Sequence, residues 1–155
     1  MLYLFFITPS FVADEPKTVF LLSVIHSNCT TLTNLFWSFV QTGSKLPSQA
    51  VQAYWTSMVV EGGDWDYKLK YGWNTDLKTN VNGEYIYIKG EDYGNIHYGY
   101  TGRSIGFSGS TLLTAGGIVQ IATGNSQWSY WDTYWDDPND ASSVQRGIDW
   151  YSYGY

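Results

Sequence analysis

Cysteine, histidine and clustered cations are all scarce in this chain, and each shortage closes off some chemistry. Cys29 is the single cysteine, so neither an internal disulfide nor a multi-cysteine metal site can form. It falls at the start of an expected helix, where the helix dipole lowers a thiol pKa, but the sequence pairs it with no particular histidine. Eight Lys and Arg stand against fourteen Asp and Glu, for a net charge of −6, and the basic residues never gather into a run. Phosphate binding draws its affinity from clustered cations, so the mean field repels a polyanion and leaves nucleic acid only a local basic pocket. No Gly-Lys-Ser/Thr ending occurs despite sixteen glycines, which excludes a phosphate-cradling P-loop. The apolar opening, Met1 to Ala13, is shorter than the ~20 residues that span a bilayer, so no stable membrane span is expected.

That opening reads instead as the tail of a signal peptide with Ala13 before the cleavage point, although the usual positive n-region is missing. A second apolar run, Val19 to Ile25, is either a buried strand or the start of a helix. Residues 1–28 are therefore read as an apolar leader or signal remnant and residues 29–155 as one domain, exported from a bacterium. Hydrophobic residues make up 44% and charged residues 14%, a composition that can bury a core. Aromatic residues reach 19%, with eight Trp and fourteen Tyr. Their flat apolar faces with polar edges either fill a small core or stack on sugars and partners.

Helical periodicity begins at Thr30, with Leu32, Leu35, Phe36, Phe39 and Val40, and ends at Gly43. Val51, Tyr54, Trp55, Met58 and Val59 repeat the spacing and stop at Gly62 and Gly63, so two antiparallel helices are predicted. Asp64 to Asn82 reads as a short helical turn followed by a long loop. Tyr85 and Tyr87 alternate against Ile86 and Ile88, the period of a strand. Glycines at 90, 94, 99, 102, 106 and 109 predict sharp turns or close backbone approach, in a segment that shapes a pocket. Ser110 is a cap for a helix through Leu112, Leu113, Val119 and Ile121, with Gly116 and Gly117 packed tightly inside it. A Trp- and Tyr-rich loop spans Trp128 to Trp135, and Asp136 to Asn139 form a turn. Asp140 then caps a last helix carrying Val144, Ile148 and Tyr151. The fold class that results is α+β: a helix-dominated single domain with a small antiparallel hairpin or sheet and a glycine-rich turn segment.

Several segments in fixed order carry a resemblance. They are Gly62-Gly63-Asp64-Trp65-Asp66-Tyr67-Lys68, Glu91-Asp92-Tyr93-Gly94-Asn95-Ile96-His97-Tyr98-Gly99-Tyr100-Thr101-Gly102, Leu112-Leu113 with Ala115-Gly116, and Asp136-Asp137-Pro138 with Arg146-Gly147-Ile148-Asp149. Together they resemble the type 44 polymorphic-toxin domain over roughly Val51 to Tyr151, about two thirds of the chain. The resemblance implies a toxin module of interbacterial competition, commonly the C-terminal part of a larger secreted protein and neutralised by a cognate immunity protein. A Met start and the lack of a long delivery region point to a stand-alone version, a fragment, or a relative used differently.

The chemistry is argued from the residues themselves. If the strand continues past Lys89, Glu91 shares the face of Tyr85 and Tyr87, where desolvation raises its pKa and makes it a general acid. Glycoside hydrolysis needs a second carboxylate about 5 to 9.5 Å away, for which Asp66 or Asp92 is the candidate. The alternative roles are solvated turn residues for Glu91 and Asp92, and a cap or a Lys68 or Lys70 partner for Asp64 and Asp66. His97 alternates with Asn95 and is suited either to proton transfer or to a structural role, whereas His26 reads as structural. Trp65, Lys68, Asn95, Tyr98 and Arg103 are the substrate-binding candidates. No metal or other cofactor is called for, since Asp136, Asp137 and Asp140 read as a turn and cap. The expected function is a hydrolase acting on an envelope glycan such as peptidoglycan. A metal-independent ribonuclease is the alternative, with His97 and Glu91 as acid and base and Lys68 or Arg103 on the phosphate. A third reading is a non-catalytic glycan- or partner-binding module with Trp131, Tyr134 and Trp135 as its platform.

Overall fold

The computed structural model describes residues 15–114 and 138–155. Strand β1 (Lys17–Val19) leads into helix α1 (Leu21–Gln41), followed by α2 (Pro47–Val59) and a one-turn α3 (Tyr67–Tyr71). Strands β2 (Asp76–Val81) and β3 (Glu84–Lys89) come next, then α4 (Gly90–Ser104), the short α5 (Gly109–Leu113) and α6 (Pro138–Tyr153). The fold is helix-dominated α+β, as the sequence predicts.

Residues 17–28, grouped above with the apolar leader, take part in this fold. β1 pairs in parallel with β2, Lys17 opposite Leu77, and α1 starts at Leu21 rather than at Thr30. Leu21 and Ile25 are fully buried, and the Leu21 N–H at the helix start is satisfied by Thr79 Oγ1 of β2 at 3.2 Å. Cys29 consequently sits in the middle of α1 and not at its N-terminus, and burial pushes its thiol pKa up. Met1 to Ala13 lie outside the described residues.

The sheet is mixed rather than purely antiparallel, in the order β1-β2-β3. The long loop expected before Asn82 is replaced by β2, whose Leu77, Thr79 and Val81 alternate inward. Asn82 and Gly83 close the β2–β3 hairpin with positive φ at both positions, the geometry that two-residue hairpin turns demand.

The glycine-rich segment is helix α4 and not a run of turns, and its glycines serve the other expected use, close backbone approach. Glycine costs ~1 kcal/mol relative to alanine in a helix, and here packing outweighs that cost. A Cβ on Gly99 would strike the Val144 carbonyl of α6, and one on Gly147 of α6 would strike the Ile96 carbonyl of α4. On other sides of α4, a Cβ on Gly94 would lie 2.6 Å from Lys68 Cγ, and one on Gly102 would lie 2.5 Å from Leu112 Cδ2. Contacts between α4 and α6 advance together: Asp92 meets Ser143, Ile96 meets Gly147 and Tyr100 meets Tyr151. The two helices are therefore parallel. Around them lies the core of Trp55, Tyr93, Ile96, Leu112 and Val144, all fully buried. Ser108 caps α5 by accepting from Thr111 N, two residues ahead of the expected Ser110. Helix α6 begins at Pro138, two residues ahead of Asp140. Gly116, Gly117, Val119, Ile121, Asp136, Asp137 and the loop Trp128 to Trp135 lie outside the described residues.

Candidate functional site

Helix α4 carries six of the residues singled out in the sequence, and the segment entering α3 carries the other three. The two elements pack together: Trp65 and Tyr67 lie edge-on to His97, with ring centroids at 5.6 and 4.7 Å. Among the described residues, several of their polar groups are drawn into separate local tasks.

Asp66 is the N-cap of α3. One carboxylate oxygen accepts from Leu69 N at 3.1 Å and the other from Gly62 N at 2.9 Å. This satisfies two backbone donors and pins the Gly-Gly turn. Asp92 holds the start of α4, accepting from Lys89 N at 2.8 Å, and its other oxygen accepts from Ser143 Oγ of α6. Glu91 is half-buried in the first turn of α4. Because the strand ends at Lys89, the strand alternation that placed Glu91 beside Tyr85 and Tyr87 does not reach it.

His97 is fully buried. Asn28 Nδ2 donates both to its Nε2 at 2.9 Å and to the Tyr67 hydroxyl at 3.0 Å. With Nε2 accepting, the neutral ring carries its proton on Nδ1, which is buried without a hydrogen-bond partner among the described residues. Burial, reinforced by the positive charge of Lys70, drives the imidazole pKa down to about 3. Such a ring stays neutral across the physiological range and has no path to bulk water in this conformation.

The substrate-binding candidates divide in the same way. Trp65 and Asn95 are buried. Tyr98 donates to the Leu112 carbonyl at 3.3 Å and packs on Trp55. Arg103 Nη1 donates to the Phe107 carbonyl at 2.6 Å, with the guanidinium over the Tyr151 ring. Lys68 lies over the Trp73 ring, 5.0 Å from its centroid.

An open hollow of about 430 Å³ lies instead on the outer side of α6, lined by Ser142, Gln145, Arg146, Asp149, Trp150, Tyr153 and Tyr155. Gln145 Nε2 donates to Asp149 Oδ1 at 2.7 Å, and Trp150 stacks on Tyr155 with centroids 5.8 Å apart. His26 Nε2 of α1 lies 2.9 Å from the Tyr155 carbonyl oxygen. None of the nine candidates lines this hollow. A sequence signal for it exists: residues 142, 145, 146, 149, 150 and 153 recur at steps of three and four, opposite the buried Val144 and Ile148. Among the described residues, no group of three or more His, Cys, Asp or Glu is placed to hold a metal ion. None of their helices is long and apolar enough to cross a membrane.

The helix-dominated α+β fold, with its Trp-Asp-Tyr-Lys element packed on a glycine-studded helix, is that of a bacterial toxin domain, an effector module. The family model described as bacterial toxin 44 matches residues 54–153, and the chain belongs to that family. No curated protein and no solved structure matches it significantly. The matched span leaves out β1 and α1, and so leaves out Asn28, which holds the His97 ring.

Proposed function

We propose that this toxin domain is a hydrolase of an envelope glycan such as peptidoglycan, working at the hollow on α6. The observation that carries the reading is the company of Asp149 in that hollow: a carboxylate oriented by Gln145, beside the stacked rings of Trp150 and Tyr155. Aromatic faces stack on the apolar faces of sugar rings, and glycoside hydrolysis is carboxylate chemistry. Asp66 and Asp92 are occupied by capping and helix docking, which leaves them structural parts in this reading. Asp149 is the carboxylate this reading places at the hollow, and Glu91, half-buried in the first turn of α4 and outside the hollow's lining, is the candidate general acid for a substrate that extends past it.

A ribonuclease reading draws on the same hollow, with Arg146 facing a phosphate. His97, the acid–base candidate of that reading, is sealed from solvent. Incubating the purified chain with peptidoglycan sacculi and separately with total RNA separates the two. Release of reducing ends from sacculi, lost in Asp149→Asn and Glu91→Gln, supports the glycan reading. RNA cleavage without sugar release overturns it. In the glycan reading the substrate lies outside the cytoplasm, so the toxin is exported, and a cognate immunity protein guards the producer. The third reading, a binding module built on Trp131, Tyr134 and Trp135, falls on residues outside those described.

A further inference from the structure

The solvent face of the sheet bears an aromatic and cationic surface that the fold does not need. Leu77, Thr79, Val81 and Ile88 face inward and are buried, so the core side of the β2–β3 hairpin is complete without the opposite face. On that opposite face Tyr85 and Tyr87 of β3 stand 57% and 66% exposed. Lys78 of β2 is directly opposite Tyr87 in register, with its Nζ 4.5 Å from the Tyr85 centroid and 5.9 Å from the Tyr87 centroid. At the end of the same face Lys89 is neutralised by Asp76 at 2.6 Å. The result is two rings about 7 Å apart along an edge strand, with one ammonium group held above them.

We propose that Tyr85, Tyr87 and Lys78 form a second binding surface, separate from the hollow on α6, for an extended glycan that carries sparse carboxylates. Two outward rings on one flat face suit consecutive sugar rings, which stack through their C–H faces. The ammonium group between them donates to a sugar hydroxyl or to a carboxylate. Single-stranded RNA is the competing ligand for rings on a sheet, and charge decides against it. RNA brings a phosphate with every nucleotide, whereas this face offers Lys78 as its cation between the rings, on a chain of net charge −6. A polymer with few charges matches a single ammonium. The choice of ligand class rests on the glycan reading above; the binding itself does not require hydrolysis.

The test uses the full chain in co-sedimentation with peptidoglycan sacculi, with uncharged chitin and with poly(U) immobilised on beads. Tyr85→Thr with Tyr87→Thr keeps strand-compatible residues on an exposed face and is expected to leave Tm within a few degrees while weakening sedimentation with sacculi at least tenfold. Lys78→Gln is expected to weaken binding to sacculi and to leave binding to chitin unchanged. Unchanged binding to sacculi in the double variant overturns the proposal, as does wild-type retention on poly(U) but not on sacculi. Asp149→Asn keeps the outcomes distinct. If the wild type and Asp149→Asn both sediment with sacculi and neither cleaves them, the surface stands and the hydrolase reading falls. If the double variant binds and cleaves as the wild type does, the surface falls and the hydrolase stands.

Discussion

Gly99 of α4 and Gly147 of α6 each face the backbone of the opposite helix, with a carbonyl oxygen where a Cβ would have to sit. This reciprocal contact lets two parallel helices approach more closely than side chains allow, and it places Asp92 against Ser143 and Tyr100 against Tyr151.

Gly99→Ala and Gly147→Ala should each destabilise by ~1–3 kcal/mol or more, because backbone cannot yield as a flexible side chain can. For a chain of this size that lowers Tm by roughly 3 °C per kcal/mol. Gly109→Ala is the contrast: its Cβ meets Ile148 Cγ2 at 3.5 Å, an ordinary contact, and Tm should hold or rise. Differential scanning calorimetry of the three variants checks the contrast.

His97 makes stability depend on pH in a definite direction. Its folded pKa is depressed from 6.5 to about 3 by burial and by Lys70. Above about pH 6.5 the ring is neutral in both states and costs nothing. As pH falls toward 3 the unfolded chain takes up a proton that the folded chain refuses, so stability drops by up to ~1.4 kcal/mol per pH unit. Urea melts at pH 7, 5 and 4 should show this slope in the wild type and a shallower one in His97→Gln. Equal slopes would place the acid sensitivity elsewhere.

Asp66 should behave as a cap. Asp66→Ala removes both the Leu69 and the Gly62 bonds and should cost ~1–2 kcal/mol, while the folded protein keeps its activity. Loss of turnover in a variant that remains folded, shown by circular dichroism alongside the activity assay, would return Asp66 to the chemistry.

The Asp92–Ser143 pair should couple. A hydrogen bond to a charged group contributes ~1.5–3 kcal/mol, so a double-mutant cycle of Asp92→Asn and Ser143→Ala should give an interaction energy of ~1 kcal/mol or more. Additive effects in chemical denaturation would remove the pair from the contacts that hold α4 to α6.

Those contacts mark where sequence reading succeeds and where it stops. Helices α1 and α2 were legible because their apolar residues recur at helical spacing, and β3 because Ile86 and Ile88 alternate with tyrosines. β2 alternates just as well, through Leu77, Thr79 and Val81, but its Asp, Lys, Thr and Asn are the vocabulary of loops. Helix α4 was misread for a stronger reason: glycine propensity is a local quantity, and the reward for Gly94, Gly99 and Gly102 comes from residues elsewhere in the chain. The same non-locality hid the fate of the site residues. That His97 is sealed by Trp65, Tyr67 and Asn28 is not legible, because no periodicity in α4 marks its position as interior. The polar stripe on α6 is legible only as the side opposite the apolar Val144 and Ile148, and spacing alone does not tell a solvated face from a hollow.

The parallel arrangement of α4 and α6 bears on when the molecule acquires its shape. Neighbouring helices that point the same way cannot be joined by a tight turn, and here Asp92 and Ser143 are separated by 51 positions. Long-range pairing of this kind slows folding, since loop closure comes before any reward. The final helix also supplies Val144, Ile148 and every residue lining the α6 hollow except Tyr155, which lies just beyond it. A chain in which α6 is not yet in place lacks half of its central helix pair and most of the hollow's lining.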